Sequence, residues 1–511
     1  MPDPSARSDT SDPAGRPPVR VNRRVFVRGA LAAAGAAALA GAGYAGARWS
    51  RPTPSPSAGD PGVMRFRSRP DLAPPSVNVT GPAVGSPGYI FVTPKTFEGQ
   101  APGQLGEMIV DTRGDLVWFR ETLGTPMNLR VQRYRGEPVL TWWEGRAFHG
   151  HGQGTCHVLD TSYREISTIR GHAPLYPDLH EFRISPQDTA LVTSYRDRAV
   201  DLSTLGGKTE APGYESLILE IDIATGEILW VWHSLDHVSI EETALTLEIA
   251  PHDRPFDYFH INSIDVLPDG DLLVSARNTN AVYRVARASG DIVWRLGGKK
   301  SDFAMSDNAH FFWQHHASWA GKGLVTVFDN ADAPQMEAQS RALVLSLDER
   351  LMRATVHQSL QHPARLLCSN QGSVQSCSGG RTFVGWGDEP YFTLFDDAGS
   401  ILLDGRFPED KQSYRAFLQH WGARPQDPPV LAVGSNPPAG VTVYASWNGA
   451  TEVHSWRVLA GAQRRLLRTV GEVPRSGFET AIAVNDKGPY FGVVALDATG
   501  QELARSAVTR T

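Results

Sequence analysis

Histidines recur at the start of three β-prone segments, HEFRIS, HINSID and HHASWA, at His180, His260 and His315. Arginines close the following strand in two of these repeats, at Arg196 and Arg277. Converging imidazoles can ligate a metal ion, or together with guanidiniums they can hold a sulfate or phosphate group while one histidine acts as nucleophile. Because a guanidinium repels a bound cation, the pattern favours the anion and predicts no metal. The structural alternative is that each histidine hydrogen-bonds to the nearby backbone.

The elements that must position these residues form a repeat from about residue 88 to 410. An apolar strand precedes a hairpin with a D-x-x-G-like turn, as in LGEMIVDTRGDLVWFRE (105–121) and EIDIATGEILWVW (220–232). Pairing each preceding strand segment with its hairpin gives six units of about four strands. A repeat of this kind predicts a six-bladed β-propeller. A β-solenoid is less favoured, because its repeat would be shorter and more regular. In a propeller the first strands line a central channel, where the three histidines would converge.

The remaining segments divide the chain further. Residues 1–47 read as an export signal, 48–64 as a linker rich in Pro and Ser, 65–425 as the propeller, and 428–509 as a fibronectin-III-like β-sandwich. The predicted class is therefore all-β. Insertions at 201–216 and 233–256 enlarge the third unit, and SIEETALTLEI (239–249) has helical spacing.

The N-terminus carries a paired arginine, Arg23 and Arg24, followed by an uncharged stretch rich in Ala and Gly. This pattern is typical of a twin-arginine export signal, and cleavage after Ala47 fits the rule of small residues. The alternative is an uncleaved anchor. We therefore expect recognition by the twin-arginine export machinery and an extracellular or cell-surface location.

Composition excludes several classes of partner and cofactor. The formal net charge is −6 and the body of the chain has no block of Lys and Arg, which disfavours nucleic acid and acidic membrane surfaces as partners. No GxxxxGK[ST] loop is present, so a bound nucleotide is not indicated. The three cysteines lack CxxC spacing, which disfavours a zinc site of the usual kind. Cys368 and Cys377 form either a disulfide or two reduced thiols.

The phrases FHINSIDVLPDGDLLVSARNTNAVYRV, IVWRLGGKKSDF, FFWQHHASW, VTVFDN, NQGSVQ, GWG and SYRAF, in this order, resemble the arylsulfotransferase family over roughly residues 65–425. The resemblance implies a six-bladed propeller that moves a sulfuryl group between phenols without a cofactor, through a sulfated channel histidine. The matching residue after Gln314 is His315. The chain departs from the better-studied members in lacking their N-terminal β-sandwich, and in having a second histidine, His316. Strand alternation predicts that only one of the two faces the channel, and the repeat favours His315.

The resemblance assigns roles to the repeat residues. It implies that His315 attacks the sulfur while the H-x-N pair His260 and Asn262, with Arg277, holds the sulfuryl oxygens. His180 would exchange the proton of the phenol. We also expect Arg196 to contact the substrate.

Two rival functions remain at this point. One is a non-catalytic exported propeller that binds a partner or a glycan. The other is a metal- or quinone-dependent oxidoreductase, suggested by IDIATGEILW (221–230), although the set of such Trp motifs is incomplete.

Overall fold

The computed structural model describes residues 62–82, 88–96, 102–435, 440–486 and 488–511. Arg23, Arg24, Ala47 and residues 48–61 of the predicted linker lie outside these ranges. Within them, no helix is long and apolar enough to cross a membrane.

Strands make up most of the regular structure. Those before residue 420 are β1 Asn78–Thr80, β2 Tyr89–Lys95, β3 Gly106–Val110, β4 Leu116–Glu121, β5 Thr125–Tyr134, β6 Glu137–Phe148, β7 His151–Leu159, β8 Glu165–Ile169, β9 Phe182–Ile184, β10 Thr189–Val200, β11 Ala211–Asp222, β12 Ile228–His233, β13 Ile261–Val266, β14 Leu272–Ala276, β15 Ala281–Val285, β16 Ile292–Gly297, β17 Ala304–Met305, β18 His315–Gly321, β19 Leu324–Asp329, β20 Arg341–Asp348, β21 Arg353–Leu360, β22 Ser373–Ser376, β23 Thr382–Gly385, β24 Tyr391–Phe395, β25 Ile401–Arg406 and β26 Gln412–Gln419. The later ones are β27 Val430–Ser435, β28 Val441–Ser446, β29 Ser455–Gln463, β30 Leu466–Pro474, β31 Glu479–Val484, β32 Tyr490–Leu496, β33 Glu502–Arg505 and β34 Thr509–Arg510. Helical structure consists of α1 Ser234–His237 and 3₁₀ turns at Ser203–Leu205, Ile240–Glu242, Arg277–Thr279, Asp307–Ala309 and Ser378–Gly380.

Six sheets of four or five strands occupy the described residues up to 419. Their strand orders are β26-β2-β3-β4, β5-β6-β7-β8, β9-β10-β11-β12, β13-β14-β15-β16, β18-β19-β20-β21-β17 and β22-β23-β24-β25-β1. Successive strands pair with their neighbours in antiparallel register, and the short β17 adds to β21 in parallel. The first sheet takes its first strand, β26, from the far end of this region, so strands distant in sequence close the series of sheets. Each repeated unit of the sequence, a strand segment with the hairpin that follows it, falls in one sheet.

Side-chain amides join the first strands of neighbouring sheets. Gln375 of β22 accepts from the backbone N–H of Leu418 and donates to its carbonyl, both at 2.9 Å. Gln419 of β26 makes the same two bonds to Val131 of β5, at 2.7 and 3.0 Å. Gln132 of β5 reaches β9 in a similar way. A side-chain amide can set one N–H and its carbonyl oxygen against backbone groups of a neighbouring strand, so these bonds pair edge groups of β26, β5 and β9.

Residues after 427 form two further sheets, β27-β28-β31 and β30-β29-β32-β33, with β34 added to β32. Trp447, Trp456 and Phe491 lie in a core that both sheets share. This region is therefore all-β, and its fibronectin-III-like topology stays a prediction.

One local expectation is wrong, and one open alternative is decided. Residues 239–249 do not form the helix that their spacing predicted, since only Ile240–Glu242 makes a 3₁₀ turn. The side chains of this segment pack against neighbouring sheet residues, and this packing overrides a weak helical pattern. Cys368 and Cys377 are free thiols, and the buried Cys368 Sγ donates to the carbonyl of Trp386 at 3.0 Å.

We expect Gln375→Ala to lower the free energy of unfolding by about 1–3 kcal/mol, because the N–H and carbonyl of Leu418 lose their partners. Urea unfolding followed by circular dichroism measures this loss. Gln361→Ala, at an exposed position, is the matched control and should be neutral. Equal stability of the two variants would contradict a bracing role for the amides.

Candidate active site

His180 is held by a buried carboxylate two residues before it. Its Nδ1 lies 2.5 Å from Asp178 Oδ2, and the same carboxylate accepts the backbone N–H of His180. The second oxygen, Oδ1, accepts the N–H of Gly152 at the tip of the β6–β7 hairpin. Burial by itself would raise the pKa of Asp178, but the contact with His180 lowers it, so the group is an anion. A carboxylate on Nδ1 makes that nitrogen the donor and leaves Nε2 free for chemistry.

His260 repeats this arrangement one sheet further on. Its Nδ1 lies 2.5 Å from Asp257 Oδ2, and its backbone adopts φ 57°, which turns the chain as it enters β13. His151, from the hairpin tip, approaches the same Asp257 oxygen with Nε2 at 3.2 Å. Burial lowers the pKa of His260 to about 4. Burial opposes protonation of His151 as well, but the charge of Asp257 raises the pKa of His151 above its ordinary value.

The imidazoles of His151, His180 and His260 converge. The ring centroids of His180 and His260 are 4.8 Å apart, and that of His151 lies 5.2 Å from His260. The Tyr195 ring, on the long hairpin of β10 and β11, packs 4.0 Å from His151 and 5.9 Å from His180. Hairpins from the second and third sheets therefore complete a cluster whose other members precede β9 and β13.

His315 opens β18 and is 2% exposed. The Nδ2 group of Asn330 donates to the carbonyls of Cys368 and Gln371, so its Oδ1 must accept the proton on His315 Nδ1, at 2.8 Å. The lone pair of the neutral ring is therefore on Nε2, where it accepts a long 3.3 Å bond from the N–H of Gln371. Burial, with the nearby charge of Arg277, lowers the pKa of His315 well below its usual range.

One side chain, that of Tyr414, separates His315 from the other histidines. The Tyr414 ring lies 6.4 Å from the ring of His315 and 6.0 Å from that of His180. The structure thus brings His180 and His260 together directly and places His315 beyond a shared tyrosine.

Arg277 is the cation whose charge acts on His315. Its guanidinium lies 5.1 Å from the Trp313 ring centroid and donates to the carbonyl of Ser369, two residues before the segment that contacts His315. Burial lowers the pKa of Arg277 to about 10, so it remains charged at neutral pH. Within the described part of the chain, no carboxylate lies in ion-pair contact with it. A half-buried guanidinium without a carboxylate partner is suited to an anionic ligand.

The other two predicted residues have different surroundings. Asn262 is fully buried, and its Nδ2 donates to the carbonyl of Gln314 at 2.7 Å, directly before His315. It therefore positions the chain that carries His315. Arg196 binds Glu215 at 2.5 Å and approaches His233, within the third sheet. The structure does not bring Arg196 to the histidine cluster, because its neighbour on β10, Tyr195, takes the inward position.

The expectation that only one of His315 and His316 points inward is not met, because both side chains are buried. His316 adopts φ 52°, and the register of β18 against β19 shifts between His315 and Ser318. A bulge of this kind breaks the alternation of side chains, so both histidines are buried inside. His316 lines a separate cavity and accepts the N–H of Val374.

Several residues of the site were missed in the sequence. Asp178 and Asp257 precede their histidines by two and three positions, and this D-x-H and D-x-x-H pattern was a usable signal. His151 lies in an H-G-H-G run at a hairpin tip, and only the fold shows that this tip reaches the cluster. His151, Asp257 and His260 offer ligand atoms within 4.8 Å of one another, a set that zinc accepts. The two Asp257 contacts account for this proximity through hydrogen bonding alone.

The model of the family described as Arylsulfotransferase (ASST) matches residues 130–408. The chain belongs to the arylsulfotransferase family. Membership indicates a sulfotransferase-type enzyme that handles aryl sulfates and phenols. The match contains the three predicted histidines together with Asn262 and Arg277.

Other comparisons add no function to the family assignment. No curated protein matches the chain. Similar solved structures include a protein of unknown function from Bacteroides caccae, at 14% identity and TM-score 0.39, covering 65% of this chain and 98% of that one. A protein from Lactobacillus plantarum has 14% identity and TM-score 0.35, covering 77% and 97%. The virginiamycin B lyase of Staphylococcus aureus has 8% identity and TM-score 0.32, covering 73% and 97%.

In this arylsulfotransferase family member, we expect Asp257→Asn to lower the pKa of His151 from above to below the ordinary value for histidine. The amide removes the charge and leaves the burial that opposes protonation. Titration of ¹⁵N-labelled imidazoles by NMR measures the shift. The exposed Asp253→Asn should leave His151 unchanged. A His151 pKa that is the same in both variants would show that Asp257 does not act on it.

The lowered pKa of His260 also predicts a pH dependence of stability. The unfolded chain protonates His260 near pH 6.5 and the folded chain only near pH 4, so its stabilising contribution is complete above about pH 6.5 and is lost as the pH falls toward 4. From about pH 7 to about pH 5, the wild type should lose up to about 2 kcal/mol more than His260→Gln. Urea unfolding at several pH values tests this, and parallel profiles would refute it.

Proposed function

We propose that this protein is a nucleotide-independent sulfotransferase that moves a sulfuryl group from an aryl sulfate to a phenol through a sulfated His315. The observation that carries the proposal is the state of His315. It is neutral, its proton is committed to Asn330, and its lone pair is on Nε2. Arg277 and His315 contact the same segment, through Ser369 and Gln371. A nucleophile and a cation for the sulfuryl oxygens therefore lie side by side.

We further propose that the six sheets are the blades of a β-propeller, with a fibronectin-III-like sandwich after it. The support is that residues of β5, β9, β13, β18, β22 and β26 line one cavity. These are the first strands of all six sheets. Sheets that contribute their first strands to one cavity radiate from a common axis, and the pairing of β26 with β2 closes the ring.

In the first step, His315 Nε2 attacks the sulfur of the aryl sulfate. The S–N bond forms as the ester S–O bond breaks, and the electron pair of that bond goes to the phenolate. Arg277 stabilises the sulfuryl oxygens, and Asn262 holds the backbone that positions the nucleophile. His180, oriented by Asp178, donates a proton from Nε2 to the phenolate.

In the second step, the acceptor phenol reverses these events. The Nε2 of His180 accepts the phenol proton, and the phenol oxygen attacks the sulfur as the S–N bond breaks. The pair of electrons returns to His315 Nε2. His260, neutral and fixed by Asp257, accepts a hydrogen bond from the phenol only before its proton passes to His180 or after the phenol is reprotonated and leaves. Arg196 has no part in this scheme.

Export by the twin-arginine route remains our proposal for the location, on the evidence of Arg23 and Arg24 in the sequence. A propeller that has folded before export suits that route. The phenolic substrates would then be met outside the cytoplasm.

Intact mass after mixing with 4-nitrophenyl sulfate tests the covalent step. We expect a gain of one sulfuryl group together with release of nitrophenol, and loss of both in His315→Ala. The exposed His172→Ala should behave as the wild type does. A sulfuryl adduct that persists in His315→Ala would contradict the assignment of the nucleophile.

A folded wild-type protein that forms no adduct with a panel of aryl sulfates would instead favour the non-catalytic binding propeller. Folding is checked by circular dichroism on the same sample. Slower adduct formation in Arg277→Gln, with His315 intact, would separate anion stabilisation from nucleophilic attack.

A further inference from the structure

Glu181, Arg130 and Arg415 form a buried ion-paired layer next to the histidine cluster. A cavity lies on the other side of this layer. It holds about 340 Å³ and is lined by the first strands of all six sheets. Along β26, Tyr414 faces His180 and His315, Arg415 binds Glu181, and Phe417 lines the cavity. Tyr414 and Phe417 are three residues apart, about 10 Å along a strand. The cavity is thus distinct from the histidine site.

Charge is unbalanced around this cavity. Arg130 and Arg415 both bind Glu181, the latter at 3.0 Å, and Arg183 lies 3.2 Å from Asp265. The charged groups that line or border the cavity are Arg130, Arg133, Arg183, Arg415, Glu181 and Asp265. Four guanidiniums therefore face two carboxylates, and His316, the titratable imidazole of the lining, is neutral because burial lowers its pKa. Two positive charges are left over, one of them on the exposed Arg133 at the rim.

Unsatisfied donors point the same way. The Nε atoms of Arg130 and Arg415 are buried, and neither has a hydrogen-bond partner among the described residues. The side chain of Arg130 is only 5% exposed and belongs to the cavity lining. These unpaired N–H groups leave uncompensated positive charge beside the cavity, so an anionic ligand in the cavity is favoured electrostatically.

The rest of the lining is suited to a ring. Phe417 is buried in the wall, with the Arg130 guanidinium 5.6 Å from its ring centroid, and the half-buried Trp319 belongs to the same lining. Ser318 adds a hydroxyl among these aromatic groups. Aromatic side chains together with guanidiniums in one lining match a flat apolar body that carries one anionic group.

We propose that this cavity is a second binding site, for a small aromatic anion whose sulfate or sulfonate group meets Arg130 and Arg183. The site rests on the charge and shape of the cavity and does not depend on transfer through His315. Its ligand chemistry is an oxyanion, carried on an aromatic ring and to a lesser degree as free sulfate.

Isothermal titration of the full chain with benzenesulfonate tests the proposal, because its C–S bond cannot donate a sulfuryl group. Sodium sulfate and benzyltrimethylammonium, at the same ionic strength, are the comparison probes. We expect benzenesulfonate to bind more tightly than sulfate and the cation not to bind. Arg183→Gln and Arg133→Gln should each weaken benzenesulfonate roughly tenfold. The exposed Arg170→Gln, away from the cavity, should have no effect.

Two further variants separate this site from the histidine site. Arg277→Gln should leave benzenesulfonate binding at the cavity intact, and Trp319→Leu should remove its advantage over sulfate. Binding that is lost in Arg277→Gln and unchanged in both Arg183→Gln and Arg133→Gln would overturn the proposal. Absence of any binding in the wild type would overturn it equally, whereas a failed sulfuryl adduct would bear only on His315.

Discussion

The fold depends on one buried carboxylate, that of Glu181. Its oxygens bind the guanidiniums of Arg130 and Arg415, and Arg415 also donates to the carbonyl of Asn262. These contacts join β5, β9, β13 and β26, which are first strands of four sheets. Burial alone would raise the pKa of Glu181, but the two arginines lower it, so the charge persists. Removing one partner would leave a buried charge without a counter-ion. The first strands must therefore meet in the arrangement that keeps all three charged groups paired.

This layer also separates two chemistries. His180 immediately precedes Glu181 and faces the cluster that Asp178 and Asp257 organise, whereas the cationic cavity begins on the other side. Carboxylates on one side hold imidazoles in a single tautomer, and arginines on the other leave an excess of positive charge. The two environments coexist close together because the ion-paired layer of Glu181, Arg130 and Arg415 is buried between them.

Much of the strand pattern was predictable, and the site was predictable in part. Repeated hairpin turns and period-two alternation identified the members of the six sheets, because these signals are local. The repeat also placed His180, His260 and His315 at equivalent positions. The repeat did not show that Arg196 pairs with Glu215 on the neighbouring strand, away from the histidine cluster. The helical spacing of residues 239–249 did not produce a helix. Strand alternation failed for His316 because a bulge depends on how β18 fits its neighbours.

The sequence by itself determined the class of structure, the family and the histidines that enter the proposed chemistry, since each is written in local spacing and residue type. The tertiary structure alone decided that Asp257 serves both His260 and His151, and that Asn330 sets the tautomer of His315. It also decided that arginines from separate sheets outnumber carboxylates around one cavity. Such contacts join residues tens to hundreds of positions apart, and their energies depend on burial and distance, which arise only when the sheets assemble.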